Sequence, residues 1–302
     1  MTLFAPERAV LREVAGEVHA FVQPDGGWCL SNAGLIGGSV LVDTAATQAR
    51  AERLRDEVAR VSGGLPDVLV NTHHHGDHVF GNGFFAPPAT IVAHERQRQE
   101  MLESGLGLTL LWPDVEWGDL RVVPPSLTFR DAITLHANGL IVEVFHVGPA
   151  HTTNDVVVWV PDRGVLFCGD VALAGATPFC LMGSVAGSVH ALTRLRALGA
   201  STVVPGHGPV SGPEIFDATE RYLRWVGGVA RQGVEAGLSP LETARQTSLG
   251  DFGQLLDAER LVGNLHRAYA EFDGRPLGTP IPLLEAFQDI AEFNGRWPTC
   301  HA

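Results

Sequence analysis

A histidine-rich segment, residues 71–78, carries the strongest chemical signal in the sequence. It reads Asn-Thr-His-His-His-Gly-Asp-His and directly follows the apolar run Val68-Leu69-Val70, which predicts a buried strand. Several imidazoles and a carboxylate within six residues suit one or two borderline-soft divalent ions. Alternation along a strand would point His73 and His75 to the same side. The loop that follows could turn Asp77 and the last histidine towards a second ion.

Three further segments place a metal-capable side chain directly after a predicted strand. They are Gly148-Pro149-Ala150-His151-Thr152, Phe167-Cys168-Gly169-Asp170 and Val204-Pro205-Gly206-His207-Gly208. In each, a neighbouring glycine allows the backbone to turn. A two-metal site built in this way would activate water near neutral pH and polarise a carbonyl oxygen. This chemistry supports attack on an acyl carbon or stabilisation of an enolate, with Asp77 as the candidate that orients water or moves a proton.

Two readings without catalysis compete with a metalloenzyme. A solvated histidine-rich loop would explain residues 71–78, but their position directly after a buried strand disfavours it. A regulatory or structural metal module is the other alternative. Structural zinc sites are closed by four protein ligands, whereas this larger set, divided over two ions, leaves room for water.

The elements that must position these residues alternate between strands and helices. Residues 17–43 predict a hairpin, with residues 18–23 and 28–36 as its strands, and a further strand near residues 39–43. Residues 47–62 have apolar side chains at helical spacing, closed by two glycines. The second half has a similar order of elements. Strands are predicted near residues 141–145, 156–160, 165–167 and 202–204, and a helix is predicted to start at Ser188. Two packed sheets with helices outside would satisfy this order of elements.

The character of the chain changes near residue 213, where the remaining pattern is helical. Residues 1–212 are therefore predicted to form the catalytic domain, and residues 213–302 a helical extension packed on it. Within the extension, Ser239-Pro240-Leu241-Glu242 predicts a capping box at a helix start. This helical layer could fold over the site or provide a dimer face, so a homodimer is one arrangement that it allows.

The charge balance bears on partners and location. The 302 residues include 21 Lys and Arg against 34 Asp and Glu, a formal charge of −13. Without a basic stripe, such a chain repels nucleic acid and anionic membranes. No stretch approaches the ~20 apolar residues that cross a bilayer. The first residues lack the pattern of a signal peptide, which predicts a cytoplasmic location. Cys29, Cys168, Cys180 and Cys300 show no paired spacing and predict buried or free thiols.

The metal motifs resemble those of the metallo-β-lactamase superfamily. This resemblance implies an α/β fold, an αββα sandwich with two Zn²⁺ ions at one edge of its sheets, here with the added helical layer. By the family pattern, one ion is held by His73, His75 and His151, and the other by Asp77, His78 and His207, with Asp170 bridging. His74 takes a variable position and is not a ligand. Iron or manganese would also suit these ligands.

Stretches outside the metal motifs resemble the aromatic polyketide cyclases of this superfamily, of the actinorhodin second-ring type. They include residues 26–34, 79–82, 112–118, 177–179, 183–187 and 294–300. The resemblance implies a zinc-dependent cyclase that closes the second ring of a poly-β-ketone by aldol condensation and dehydration, with cleavage of a thioester as a further activity. The substrate would be a polyketide intermediate, free or bound to an acyl carrier protein. Trp28, Trp112, Trp117 and Phe179 are candidates to wall its flat rings, and ordinary core packing is the simpler explanation of each one taken alone.

A hydrolase of the same fold is the main alternative function. The metal motifs alone do not separate a cyclase from a dinuclear-metal hydrolase of a thioester, lactone or other acyl substrate. The missing signal peptide disfavours a secreted β-lactamase, and the negative charge disfavours a nuclease.

Overall fold

The computed structural model describes residue 5 and residues 8–302 of the chain. Over these residues the backbone forms two sheets that face each other. The first sheet has the order β1-β2-β3-β4-β5-β6-β7, with parallel pairing from β4 to β7 and antiparallel pairing before it. Its strands are β1 (Leu11–Ala15), β2 (Val18–Phe21), β3 (Ala33–Ile36), β4 (Val40–Val42), β5 (Val68–Val70), β6 (Thr90–His94) and β7 (Leu127–Phe129).

The second sheet has the order β12-β11-β10-β9-β8. Its strands are β8 (Ala132–Ala137), β9 (Leu140–His146), β10 (Val156–Val160), β11 (Val165–Gly169) and β12 (Thr202–Pro205). All neighbours are antiparallel except β11 and β12, which are parallel. The strands β9, β11 and β12 therefore end at the same edge of the sheet.

Alternation along the strands divides the buried side chains between two faces of each sheet. In β4, Val40 and Val42 face the second sheet and join a core with Val142 and Val158, whereas Leu41 packs on the helix side with Leu54. Such strands are covered on both faces, which explains their continuous apolar sequences. The expected αββα sandwich is confirmed.

Eight α-helices surround the sheets in the described residues. They are α1 (Gln48–Ser62), α2 (Gly76–Val79), α3 (Glu95–Ser104), α4 (Val185–Ala197), α5 (Glu214–Glu235), α6 (Pro240–Gln246), α7 (Arg260–Phe272) and α8 (Leu283–Asn294). The helix predicted over residues 47–62 is confirmed as α1: Thr47 caps its start, and Gly63 ends it with φ of 75°. The predicted capping box of Ser239 and Glu242 is present at α6.

Two local predictions are wrong. Residues 28–32 do not belong to a returning strand, because Gly26 and Cys29 adopt positive φ values of 96° and 65° and turn the chain into a loop. The strand β3 begins only at Ala33. Helix α4 begins at Val185 rather than near Ser188, because the Ser184 hydroxyl accepts a hydrogen bond from Gly187 N and caps the helix earlier.

The C-terminal helices share one apolar core with the sandwich. Buried side chains of α5 and α7, such as Leu223 and Leu265, pack in the same cluster as Leu166 and Val203 of the second sheet. Helix α8 contributes Phe287 to this cluster. Among the described residues, no helix is both long and apolar enough to cross a membrane.

His94, at the junction of β6 and α3, makes the stability of the fold depend on pH. Its Nδ1 accepts a hydrogen bond from Arg96 N at 3.2 Å, and its ring stacks on His146 at 4.1 Å between centroids. Burial, and next the nearby His146, lower the pKa of His94 to about 4. The unfolded chain keeps a pKa near ~6.5. Between these two pKa values the unfolded state therefore binds more protons than the folded state. As a result, the free energy of unfolding is highest above ~pH 6.5 and falls as the pH decreases towards 4.

Replacing His94 with asparagine should remove this pH dependence while keeping an N-cap acceptor. Between pH 7.5 and 5, we expect the wild type to lose about 1–2 kcal/mol more of its free energy of unfolding than His94→Asn. Denaturant titrations at the two pH values measure the difference. Replacing exposed His136 of β8 in the same way is the control. Equal losses in His94→Asn and wild type would refute the expectation.

Candidate metal centre and adjoining cavity

Strand ends bring the predicted ligands to one edge of the sandwich. The loop after β5 and the short helix α2 carry the histidine-rich segment, and the chain after β9 leads to His151. Asp170 directly follows β11, and His207 follows β12 by two residues. All of these side chains are buried except that of His75, which is partly exposed.

The structure places the seven predicted side chains in three overlapping groups. Within each group the candidate ligand atoms lie within 4.8 Å of one another. The groups are His73, His75 and His151; His73, His78 and Asp170; and Asp77, His78 and His207. The first and third groups match the two ligand sets expected from the sequence, and the second links them.

Asp170 occupies the position between the two sets. Its Oδ2 lies 3.4 Å from Nε2 of His151 and 3.3 Å from Nε2 of His207. Its Oδ1 lies 3.3 Å from Nε2 of His78. One carboxylate therefore reaches ligands of both sets, which is the geometry that a bridging residue needs.

Buried atoms without partners indicate that cations belong here. Nε2 of His73, Nε2 of His78 and Oδ1 of Asp170 have no partner in hydrogen-bonding geometry among the described residues, although the last two atoms lie 3.3 Å apart. Buried polar atoms are normally paired, so these three need a ligand. Nδ1 of His75 and Nε2 of His151 lie only 2.9 Å apart, close enough to share one positive charge. Imidazole and carboxylate donors in this arrangement fit two divalent ions, with zinc well suited to the set.

Asp43, at the end of β4, orients the cluster from outside. One of its oxygens accepts hydrogen bonds from the Thr72 hydroxyl at 2.6 Å and from Nδ1 of His78 at 2.8 Å. The other accepts from Thr72 N at 2.7 Å. A carboxylate on Nδ1 fixes the ring so that Nε2 points into the cluster. Asp43 adopts a positive φ of 57°, which allows its side chain to reach both partners.

Burial and mutual charge set the protonation states within the cluster. Burial, and then nearby histidines, hold the pKa of His73 and His75 well below the ordinary value, so these rings are neutral as ligands must be. Burial opposes ionisation of Asp170, but His207 and His78 outweigh it and hold the pKa of this carboxyl well below normal. Burial likewise opposes protonation of His207, yet Asp170 and Asp77 raise its pKa to about 9. A proton therefore competes with a cation for His207.

The loop geometry differs from the expected alternation. The strand β5 ends at Val70, so His73 and His75 converge through a loop, and His75 is the N-cap residue of α2. His74 stays outside the three groups, as expected: its Nδ1 contacts Nδ2 of Asn154 at 3.0 Å. His146 stacks on His94 and contacts Thr153 O, and it makes no contact with a candidate ligand there.

A cavity of about 360 Å³ opens directly on the cluster. His75, Asp77, His151, Asp170 and His207 form part of its wall. The rest is mostly apolar and comes from distant parts of the chain: Trp28, Phe80, Leu108, Leu111, Trp112, Phe179, Leu181, Met182, Leu283, Leu284 and Phe287. A compound held in this cavity would meet the candidate metal centre at one end.

Three of the four aromatic residues suggested for the substrate wall line this cavity. The Trp28 ring lies 5.7 Å from Trp112 and 5.3 Å from Phe179, between centroids. Phe287 of α8 completes the cluster at 6.1 Å from Trp28. The suggestion of Trp117 is not supported, because its ring packs on Phe80, 6.2 Å away, and is not part of the cavity wall.

Comparison with known proteins agrees with this geometry. The family model described as metallo-beta-lactamase superfamily matches residues 26–207, which include all seven candidate ligands. The chain belongs to the metallo-β-lactamase superfamily. Among solved structures, the chain is similar to a metallo-β-lactamase from Pontibacter korlensis. The match covers 72% of this chain and 99% of that protein's chain, with a TM-score of 0.59 and 22% sequence identity. The DIM-1 metallo-β-lactamase gives the same TM-score at 21% identity.

The relatives of this chain are named as several different enzymes. A hydroxyacylglutathione hydrolase of Methylococcus capsulatus is 31% identical over 74% of this chain and 77% of its own length. A linear primary-alkylsulfatase of a Pseudomonas species is 25% identical over 86% of this chain, and the type 2 metallo-β-lactamase of Bacteroides fragilis is 24% identical over 61%. The chain spans 59% of the alkylsulfatase, 70% of the β-lactamase and 46% of a hydroxyacylglutathione hydrolase from Pseudomonas aeruginosa.

Several residues at the site are not identified by the sequence analysis. Asp43 is visible in the sequence only as an acidic residue that ends a predicted strand. Phe287 and Arg260 lie beyond the segment that matches the superfamily model. Their positions follow from the packing of α7 and α8 against the cavity, and no local motif marks them.

Gly206 provides a test of how tightly this superfamily centre is packed. A Cβ atom at this position would lie 1.8 Å from Oδ1 of Asp170. We expect Gly206→Ala to displace Asp170, to lower the metal content and to reduce any metal-dependent activity by about 100-fold or more. Metal analysis after dialysis measures the first effect. The control is Gly228→Ala in α5, where a Cβ meets nothing within 4 Å. Unchanged metal content in Gly206→Ala would contradict the role of Asp170.

Proposed function

We propose that this protein is a metal-dependent hydrolase of a thioester or another acyl compound with a large apolar acyl group. The observation that carries the proposal is the shared wall between the ligand cluster and the aromatic cavity. An acyl group seated among Trp28, Phe179 and Phe287 would place its carbonyl near His151 and Asp170. Membership of the superfamily, and relatives named as hydroxyacylglutathione hydrolases, support a hydrolytic reaction.

The seven residues would form two sets of metal ligands. His73, His75 and His151 would hold one ion, Asp77, His78 and His207 the other, and Asp170 would contact both. Two divalent ions, zinc or otherwise iron or manganese, supply Lewis acidity and activated water when bound. Asp43 keeps His78 in the ring orientation that this arrangement requires.

Asp77 is the candidate that orients water or moves a proton. Its Oδ2 lies 3.2 Å from Nε2 of His207, and its side chain forms part of the cavity wall. Burial acts against its ionisation, but His78 and His207 lower the pKa of Asp77 below its ordinary value. The carboxylate therefore stays ionised at neutral pH and can accept a hydrogen bond from water, which would orient that water towards the acyl carbon.

The apolar wall orients the acyl group and limits access of bulk water. Trp28, Trp112, Phe179 and Phe287 are each less than 9% exposed, so their positions are fixed by packing. Leu283 and Leu284, at the start of α8, also line the cavity. Burial of a fused aromatic ring on such a wall contributes several kcal/mol of binding free energy at ~25 cal/mol per Å².

An aromatic polyketide cyclase is the second candidate, because the same wall suits a flat, partly cyclised poly-β-ketone. The substrate would be a free intermediate or its acyl carrier protein thioester. Metal ions held by these residues would polarise an acyl carbonyl and so acidify the adjacent carbon, and Asp77 would be the nearby carboxylate that accepts a hydrogen bond or the proton. Ring closure with loss of water would then compete with hydrolysis, and restricted access of water would favour closure.

The experiment compares two thioesters of one thiol, with 2-naphthoyl and acetyl as the acyl groups. Metal-loaded protein should hydrolyse the naphthoyl thioester with a kcat/KM at least ~100-fold higher, because only this group fills the apolar wall. A chelator should abolish both reactions, and re-addition of zinc should restore them. Equal rates for the two thioesters would contradict the proposed acyl group, and hydrolysis that survives the chelator would contradict the metal centre.

A first-ring-cyclised polyketide thioester separates the two candidate reactions by product mass. Gain of water with release of the free acid supports the hydrolase. Loss of water with a new aromatic chromophore, again abolished by a chelator, supports the cyclase.

A further inference from the structure

A single arginine stands out in the wall of the cavity. Among the described residues that line it, Arg260 is the one lysine or arginine. The residue is only 3% exposed and begins α7, outside the segment that matches the superfamily. A buried cation in an apolar wall is costly unless its donors are satisfied.

The donors of Arg260 are incompletely satisfied. Its Nη1 donates a hydrogen bond to Thr177 O at 3.1 Å. Its Nη2 lies 2.8 Å from Oδ2 of Asp257, yet this oxygen has no partner in hydrogen-bonding geometry. Nε of Arg260 is buried and has no partner among the described residues. Since a guanidinium carries five N–H donors, this one retains capacity for a ligand oxygen.

The guanidinium is held in place by the aromatic wall itself. Its central carbon lies 4.1 Å from the Trp28 ring centroid and 6.0 Å from that of Phe179. The preceding residue, Glu259, accepts a hydrogen bond from Trp28 Nε1 at 3.0 Å. The start of α7 adds partial positive charge at the same place. Arg260 is thus a fixed donor among rings rather than a mobile surface cation.

Arg260 and the candidate metal centre are both close to the Phe179 ring, so one substrate could contact both. Phe179 is near both: its ring centroid is 6.4 Å from that of His151 and 6.0 Å from the Arg260 guanidinium carbon. A flat compound along this ring can contact the cluster with one oxygen and Arg260 with another.

We propose that Arg260 forms a binding subsite for a second, anionic oxygen of the substrate, a carboxylate, phenolate or enolate on the ring system distant from the reacting carbonyl. This inference rests on the proposed function and narrows its substrate to planar acyl compounds with an acidic oxygen at the far end. Arg260 would bind the substrate and orient it. A hydrogen bond from its guanidinium to a charged oxygen is stronger than one between neutral groups.

Equilibrium binding to the metal-loaded protein tests the subsite without turnover. The probes are 2-naphthoate and 2,6-naphthalenedicarboxylate, which offer the metals the same carboxylate but differ at the far end. Quenching of tryptophan fluorescence reports each Kd. The wild type should bind the dicarboxylate about 30-fold more tightly, since a hydrogen bond to a charged group has this order of effect.

The variant Arg260→Met should reduce this ratio to about one, and Arg260→Lys should keep part of it. The double variant Asp257→Asn/Arg260→Met removes both charges of the pair and guards against misfolding caused by an unpaired aspartate. The matched control is Arg221→Met, whose guanidinium carbon lies 5.8 Å from the Phe252 ring centroid, outside the cavity. It should keep the full ratio.

The outcomes separate this subsite from the proposed function. Equal binding of the two probes by the wild type, or an equal weakening of both by Arg260→Met, overturns the inference and leaves Arg260 with a structural role. A ratio that depends on Arg260 supports the subsite even if neither naphthoyl thioester is hydrolysed, in which case the proposed hydrolysis is the claim that fails.

Discussion

Asp170→Asn is expected to lose at least one metal ion per chain and about 10³-fold or more in kcat/KM for a naphthoyl thioester. The side chains have the same shape, but the amide lacks the charge that two cations would share. Asp170 lies within 3.4 Å of nitrogen atoms from His78, His151 and His207, so its replacement affects both ligand sets at once. Changes to residues that only orient ligands typically cost ~10–100-fold, and loss of a shared ligand should exceed this.

Metal analysis and steady-state kinetics on the same preparation measure both effects. The control is Asp162→Asn, an exposed aspartate in the turn between β10 and β11. It should match the wild type in metal content and rate. If Asp170→Asn retained two ions at wild-type affinity, the bridging position of this carboxylate would be wrong.

Gly34→Ala is expected to lower the free energy of unfolding by about 3 kcal/mol. Gly34 lies in β3, and a Cβ atom there would lie 2.1 Å from Cε1 of Phe167 on β11. Phe167 is 3% exposed and fills the space between the two sheets, so its ring has no room to move away. The added methyl group must therefore separate the sheets locally or distort the ring.

Thermal unfolding of the two proteins should show a Tm lower by about 6 °C or more. Gly64→Ala is the matched control, because a Cβ at that position meets nothing within 4 Å and its φ is not positive. An unchanged Tm for Gly34→Ala would mean that the two sheets are less closely packed at this point than the structure has them.

Local patterns were sufficient to predict much of the fold. The apolar run 68–70, the helical spacing over residues 47–62 and the Ser239 capping box each correspond to an observed element. These signals depend on neighbours in sequence, such as a cap or a glycine stop. The sequence around Trp28 resembles a strand because its residues are apolar, but Trp28 and Cys29 line the cavity instead of a sheet face.

The candidate ligands could be predicted because histidine and aspartate after strands form recognisable motifs. The residues that support and shape the site could not. Asp43 reaches His78 only through the parallel pairing of β4 and β5, and Arg260 reaches Trp28 from more than 200 positions away. Such contacts arise from tertiary packing, which no window of the sequence displays.

Zinc titration of the metal-free protein relates activity to metal binding, with bound metal and naphthoyl thioester hydrolysis recorded on each sample. We expect no hydrolysis without metal and a maximal rate when two ions are bound per chain. Hydrolysis by the metal-free protein, or a maximal rate with no more than one ion bound, would contradict a dinuclear centre built from these seven residues.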